Sequence, residues 1–343
     1  MDAVPDDHPT KRLRRFRFPD GQTELLVATD RAQPTRSLPQ LPRTVFLGSA
    51  KFAQIIFDAL LRDGLRPALV ITEPPKPSGR GRSVRATPVE TWARAADLPI
   101  ASPATRTELV TILQDAQPEL GIVAAYGQIL SKVALEIPPY GMVNVHASIL
   151  PRYRGASPVQ AAILDGIEAT GVTFMQMDEG VDTGRIIALA PLPLTGTETT
   201  PELTEALAHL AGRVITTVLV RYLRNELLLL KQDVVGTHTK KLTKADGEIH
   251  HLEQTDPVTL DRKIRALNPW PGVYTDQFGT RLLLRAGWLV DGTYTITRLQ
   301  WAGKPVADGA TFARAYPHVL TALPSTITLG ANSHPDLHDD QPN

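Results

Sequence analysis

Thr44-Val45-Phe46-Leu47, followed by Gly48-Ser49 and by a run from Phe52 to Leu61 with apolar residues at helical spacing, reads as a buried strand, a turn and a helix. The alternation continues outward. Ala68-Leu69-Val70-Ile71 reads as a strand, Val89 to Ala95 as a helix and Leu109 to Leu113 as a further segment; Gly121-Ile122-Val123-Ala124 and Gly141-Met142-Val143-Asn144-Val145 are again strands. Strands alternating with helices predict an α/β domain built on a doubly wound, mostly parallel sheet. Gly171 to Met177 and Ile186 to Leu189 add strands, and the long helical pattern from Pro201 to Leu228 closes a domain spanning 43–230.

After Lys231 the texture changes to short segments with alternating apolar and polar residues: Arg281 to Arg285, Thr293 to Ile296 and His318 to Leu320. That is the pattern of a small β-barrel over 246–330, reached by a linker, 231–245, that carries Lys240, Lys241 and Lys244. A tail, 331–343, is rich in Asp, His, Pro and Asn. At the other end, 1–42 precede the first strand of the domain, with Lys11-Arg12-Leu13-Arg14-Arg15-Phe16-Arg17 leading into Pro19-Asp20-Gly21, a candidate hairpin turn. A basic arm for nucleic acid is one reading of that extension; a solvated charge run on an appended segment is the preferred one.

With 343 residues and 42% hydrophobic content the chain has material for two domains with real cores. Its uninterrupted apolar stretches fall short of a spanning helix, and Met1 to Asp7 has no signal-peptide core, so the cytoplasm is the expected compartment. The absence of cysteine removes disulfides, thiolate nucleophiles and cysteine-ligated zinc. The nine histidines show no metal-ligand spacing, and no metal is expected. Lys+Arg and Asp+Glu both number 36, so a nucleic-acid contact would depend on local patches.

The chemistry concentrates in Asn144-Val145-His146-Ala147-Ser148-Ile149-Leu150-Pro151, then Arg152-Tyr153-Arg154-Gly155, and finally Gly180-Val181-Asp182-Thr183-Gly184. Asn144 and His146 sit two apart at a strand end, so both side chains leave one face, roughly 6.6 Å apart. An amide, an imidazole and a carboxylate are the groups needed to polarise a carbonyl and manage a proton. The two glycines let the Asp182 loop fold back toward the strand end. Taken singly, each residue has a bland reading: a turn-capping Asn, a structural His, an Asx-turn Asp.

Together, these residues resemble the Asn, the His-x-Ser-Leu-Leu-Pro segment and the distant Asp of the 10-formyltetrahydrofolate-dependent formyltransferases, most closely the branch whose acceptor is initiator methionyl-tRNA. The likeness runs from about Thr44 to about Leu289 and includes Glu73 to Arg82, Ala125-Tyr126-Gly127 and Asn268-Pro269-Trp270-Pro271-Gly272. Ile149 in place of Leu, Ser49-Ala50-Lys51 in place of Thr-Pro-acid, and Pro75 in place of an acid depart from the family pattern without removing a chemical group. The resemblance implies a Rossmann-like catalytic domain with an oligonucleotide-binding-like barrel, a monomeric enzyme, 10-formyltetrahydrofolate as co-substrate, and Asn144, His146 and Asp182 as catalytic residues. It also implies a folate pocket formed by Ser148, Ile149, Leu150 and Pro151 with Val123, Ala125 and Tyr126, and a tRNA contact by Lys76, Arg80, Arg82 and Arg85.

Formyl transfer to an amine develops negative charge on the formyl oxygen and leaves a proton on nitrogen. Preorganised donors facing such an oxygen contribute about 2.7–4 kcal/mol each, the part expected of Asn144 and His146. Asp182 is expected to orient His146 and to accept or relay the amine proton. A nicotinamide oxidoreductase also opens with strand, turn and helix, but Gly48-Ser49-Ala50-Lys51-Phe52-Ala53 lacks the repeated glycines that admit a pyrophosphate. Sugar and purine formyltransferases share the three catalytic groups; a tRNA-binding protein without catalysis would have no use for them.

Overall fold

The computed structural model describes residues 13–18, 23–28, 42–78, 83–232 and 235–331. The chain divides into two compact units. The first holds the described residues up to Pro158, Ala169–Pro193 and Leu203–Thr239; the second holds Val159–Glu168, Leu194–Glu202 and the described residues from Lys240 onward.

In chain order, elements as far as Thr239 are β1 (Leu13–Arg17), β2 (Glu24–Ala28), β3 (Thr44–Gly48), α1 (Lys51–Arg62), β4 (Leu69–Ile71), β5 (Lys76–Ser78), β6 (Ser83–Arg85), α2 (Pro88–Ala95), β7 (Ile100–Ala101) and α3 (Arg106–Ala116). There follow β8 (Leu120–Ala124), α4 (Lys132–Glu136), β9 (Met142–His146), β10 (Arg154–Gly155), α5 (Pro158–Asp165), β11 (Ala169–Gln176), β12 (Arg185–Pro193), α6 (Thr200–Leu223) and β13 (His238–Thr239). Nine strands form one sheet in the order β1-β2-β12-β11-β9-β8-β3-β4-β7.

From β9 to β7 every pairing is parallel, as the alternation of strands and helices predicts. From β9 to β1 every pairing is antiparallel, because β11 and β12 are joined by a loop too short for a crossover and β1–β2 is a hairpin. The sheet is therefore mixed. β3 and β8 are buried at all five positions, as central strands covered on both faces must be. The turn from β3 into α1 needs a glycine: a Cβ on Gly48 would stand 2.6 Å from Ala53 Cβ and 2.7 Å from the Ala124 carbonyl. Helix α6 has the length and apolarity to cross a membrane, yet 61% of its apolar window is buried within the protein, the signature of a core helix.

The N-terminal segment is built into this sheet. β2 pairs with β12 through Leu26 and Leu189, and Leu25 and Val27 have no exposure. Arg14, Arg15 and Arg17 on β1 are solvated, as the charge-run reading expects. The Pro19-Asp20-Gly21 turn between the two strands lies outside the described residues.

The second unit carries α7 (Pro257–Leu267), β14 (Val273–Thr275), β15 (Leu282–Val290), β16 (Thr293–Trp301), β17 (Ala307–Asp308), α8 (Gly309–Ala315), α9 (Pro317–Thr321) and β18 (Ile327–Leu329). Its barrel-like sheet runs β14-β15-β16-β17, antiparallel, with β18 parallel to β16. Leu282, Leu284, Tyr294, Ile296 and Leu299 form its interior. One predicted strand is a helix: His318 to Leu320 lies in α9, where Pro317 occupies the first turn. Three residues of alternation are too few to fix a period, and proline at the first helical position favours the helix. The described residues of 231–239 cluster with the first unit and those from Lys240 onward with the second. Of the predicted tail, 332–343 lie outside the described residues.

Candidate active site

β9 is the seam of the sheet, parallel to β8 on one side and antiparallel to β11 on the other. Asn144 stands opposite Met175 and His146 opposite Thr173. Both side chains reach the same carboxylate. Asn144 Nδ2 donates to Asp182 Oδ1 at 3.4 Å, and His146 Nδ1 lies 3.5 Å from Asp182 Oδ2. These are loose contacts, of the kind that tighten when a ligand closes a site. His146 is only 6% exposed, so its charge interactions are weakly screened.

Asp182 adopts a left-handed backbone conformation, φ 53°, which aspartate tolerates better than most residues. The Gly155 N–H donates to Asp182 Oδ2 at 2.8 Å and anchors it. The Asx-turn role that a bland reading gives to Asp182 belongs instead to Asp178, whose Oδ1 accepts from the Gly180 N–H at 3.1 Å and the Thr183 hydroxyl at 2.7 Å. Asp182 is thereby left to face Asn144 and His146.

His146 Nε2 lies 2.9 Å from the Tyr153 carbonyl oxygen. A carbonyl only accepts, so Nε2 carries the hydrogen and Nδ1 is the nitrogen turned to Asp182. The Nε2–H is committed to the protein, and Nδ1 is the ring nitrogen that faces the Asp182 carboxylate.

The Ser148–Pro151 segment is tied down from within. Ser148 Oγ donates to the Arg152 carbonyl at 2.7 Å, while Thr173 Oγ1 donates to the Ser148 carbonyl at 2.6 Å and accepts from the Leu150 N–H at 3.0 Å. Ser148 is fully buried and Leu150 is in a core cluster with Met175, Ile186 and Leu189; Ile149 and Pro151 are half-buried. Val123 and Tyr126 are likewise core residues, packed with Leu47, Leu109 and Met142. Burial, aided by Glu73, pushes the Tyr126 hydroxyl above its ordinary range and keeps it neutral. Ala125, at φ 41°, is exposed, as is Gly127 on the other side of Tyr126.

A cavity of about 400 Å³ opens beside the Asp182 loop, lined by Lys132, Leu135 and Glu136 of α4, by Gly141, and by Gln176 through Gly180. None of the predicted folate residues lines it. Its size is within the range of small-molecule sites, and Val181, which follows its last lining residue, is 54% exposed. Of the predicted tRNA contacts, Lys76 and Arg85 are cross-strand partners on the β5–β6 ribbon and Arg85 is exposed; Arg80 and Arg82 lie outside the described residues.

Sequence reading missed two buried polar residues behind the site, Arg154 (4% exposed) and Gln232 (6%). Arg154 stands within the quoted Arg152–Gly155 run, a signal that could have been used. Gln232, in a polar stretch after a long helix, gave none.

A profile of the formyl transferase family matches residues 42–219, more than half of the chain. A methionyl-tRNA formyltransferase of Chloroflexus aggregans is 44% identical over 68% of this chain and 76% of its own. One from Gluconacetobacter diazotrophicus is 36% identical over 80% of this chain and 97% of its own. Among solved structures, a 4-N formyltransferase from Francisella tularensis superposes with a TM-score of 0.57 at 17% identity, over 71% of this chain and 97% of its own. HypX from Aquifex aeolicus, in complex with tetrahydrofolic acid, gives 0.56 at 14% identity over 83% of this chain and 49% of its own. These last two speak for the fold alone. The sequence relatives, aligned over more than two thirds of both partners, decide the matter, and the chain belongs to the methionyl-tRNA formyltransferase family.

Proposed function

We infer that this protein transfers a formyl group from 10-formyltetrahydrofolate to the α-amino group of methionine carried on initiator tRNA, the modification that prepares that tRNA for translation initiation. The observation that carries this reading is the convergence of Asn144 and His146 on Asp182, at the seam strand, in a chain of this family. Asn144 Nδ2 is the donor available to a carbonyl oxygen that gains charge. His146 and Asp182 form a proton relay whose outer end, Nε2–H, is fixed on the Tyr153 carbonyl. An α-amino group titrates near 7.7–8.0 and lower when its carboxyl is esterified, so much of the acceptor amine is neutral at physiological pH and the relay need only remove a proton after attack.

When bound, 10-formyltetrahydrofolate supplies the activated formyl carbon. The residues fit such a ligand: the cavity offers apolar Leu135 and Met177, polar Lys132, Glu136 and Gln176, and the backbone of Asp178–Gly180. The family resemblance assigns folate contacts to Ala125, Ile149 and Pro151, which do not line that cavity, with Val123, Tyr126, Ser148 and Leu150 buried behind them. The ribbon carrying Lys76 and Arg85, with Arg80 and Arg82, would contact the tRNA backbone. In this reading the protein acts as a monomer in the cytoplasm.

The deciding experiment supplies purified protein with 10-formyltetrahydrofolate and either methionyl-charged initiator tRNA or charged elongator tRNA, and measures formylmethionyl product. Formylation of the initiator alone is expected. Transfer to neither by folded protein would overturn the acceptor assignment and redirect it to amino sugars or purine precursors.

A further inference from the structure

We propose that Gln232 is a positioning residue for formyl transfer, holding the Asp182 loop in register with His146 through Arg154; the proposal rests on the catalytic reading of Asp182 given above. Gln232 lies beyond α6, in what the sequence presents as linker, and its side-chain amide is buried among four polar contacts. Oε1 accepts from Arg154 Nε at 3.1 Å and Nη2 at 2.8 Å. Nε2 donates to the Asp182 carbonyl at 2.9 Å and the Gly184 carbonyl at 2.7 Å.

The orientation of the amide follows from its partners. A guanidinium only donates and carbonyls only accept, so the oxygen must face Arg154 and the nitrogen the Asp182 loop. Both hydrogens of the amide and both lone pairs of its oxygen are used. Among the twenty side chains only Gln has this length with two donors and an acceptor at one tip. Glutamate would keep the Arg154 contact and set a carboxylate oxygen against two carbonyls.

The other end of the tie explains why it reaches the chemistry. Arg154 lies between the two residues whose backbone holds the site: the Tyr153 carbonyl accepts from His146, and the Gly155 N–H donates to Asp182. That three-residue run is itself strapped by the segment following Gln232. The Tyr153 N–H donates to Thr237 Oγ1 at 2.7 Å, the Arg154 N–H to the Thr237 carbonyl at 2.9 Å, and Thr239 Oγ1 donates to the Arg154 carbonyl at 3.0 Å. β10 pairs in parallel with β13 over the same residues. His146, Tyr153–Gly155, Gln232 and Asp182 thus close a ring of hydrogen bonds, in which Gln232 supplies the link to the Asp182 backbone carbonyl.

The test compares the parent with Gln232→Glu and Gln232→Met by three readouts: kcat and both KM values for formyl transfer, the unfolding midpoint, and the NMR pH titration of the His146 ring, assigned with His146→Gln. For folded variants the expected result is a loss of kcat of tenfold or more, KM values within about twofold, and a displaced His146 titration. A purely structural Gln232 would lower the midpoint and leave that titration in place. Parent-like kcat and His146 titration in either folded variant would overturn the proposal. If neither variant folds, the parent decides: two donated bonds predict slow exchange of the Gln232 side-chain amide hydrogens, and exchange at the rate of an exposed glutamine would overturn it. Because the titration and exchange readouts need no substrate, an enzyme inactive on tRNA would count against the proposed acceptor and not against this tie.

Discussion

A single carboxylate organises the site, and its substitution has a specific signature. Asp182 accepts from the Gly155 N–H and faces both Asn144 and His146, so Asp182→Asn keeps the volume but sets an amide where an acceptor is needed. Turnover at saturating substrates is expected to fall by about 10²-fold or more, from lost proton acceptance, with the unfolding midpoint nearly unchanged. Asn144→Ala removes one donor and is expected to lower kcat by about 10²–10³-fold, with KM for tRNA little affected. Steady-state kinetics on both variants, run beside thermal unfolding, check this; parent-like turnover in Asn144→Ala would remove the amide from the mechanism. Asn144 and His146 were legible because strand periodicity alone puts positions two apart on one face. Asp182 was legible through its glycines and its place in a recognised pattern. Gln232 was not, since its partners lie 48 to 78 residues away and nothing local distinguishes a buried glutamine from a linker glutamine. Nor was the burial of Tyr126: a ring that suits a flat ligand equally suits a core, and its packing with Leu47, Leu109 and Met142 depends on contacts distant in sequence.

Among the elements, the N-terminal hairpin changes most in meaning between sequence and structure. Its arginines dominate the sequence, whereas Leu25 and Val27 anchor it against the sheet, and Arg221 lies over the Phe16 ring at 4.4 Å. Leu25→Ala is therefore expected to cost about 2–5 kcal/mol in chemical denaturation, the range for truncating a buried leucine, without a selective change in tRNA affinity. A second element carries a pH dependence. Asp246, accepting from Lys240 and from Thr243 N–H and hydroxyl, caps the 3-10 turn Lys244–Gly247, and those bonds hold its carboxyl down to about 2. A folded value below the unfolded one gives stabilisation that is present at neutral pH and is lost as pH falls from about 4 toward that value. Melting curves between pH 5 and 2 should show a smaller decline for Asp246→Asn than for the parent, and parallel declines would contradict the assignment. Of the parallel strands, β3, β4, β8 and β9 were legible as short apolar runs alternating with helical patterns, whereas β7, two residues long, was too short to read. The antiparallel half was not legible, because the apolar run of β11 looks the same whichever way its neighbour points.

At the scale of the molecule, equal numbers of acidic and basic residues limit how tRNA can be held. If Lys76, Arg80, Arg82 and Arg85 are the main phosphate contacts, log(kcat/KM) for tRNA should fall against log salt with a slope of about −3 to −4. KM for the folate should stay nearly flat over the same range. A slope near zero would mean that recognition rests on other contacts. The change in periodicity after α6 marks where the short strands of the second unit begin, whereas the ties from Gln232, Thr237 and Thr239 back to Arg154 were not legible, because nothing local distinguishes those residues from linker. The large sheet also has two ends. One is β7, only two residues long; the other is β1, with Arg14, Arg15 and Arg17 exposed along it. Among the described residues, neither presents a long, uncharged row of peptide groups on which a second chain could grow by strand addition. The exposed charge on this edge is expected to oppose strand addition by a second copy, and replacing its three arginines by threonine should raise light scattering at high concentration while leaving turnover in dilute solution intact.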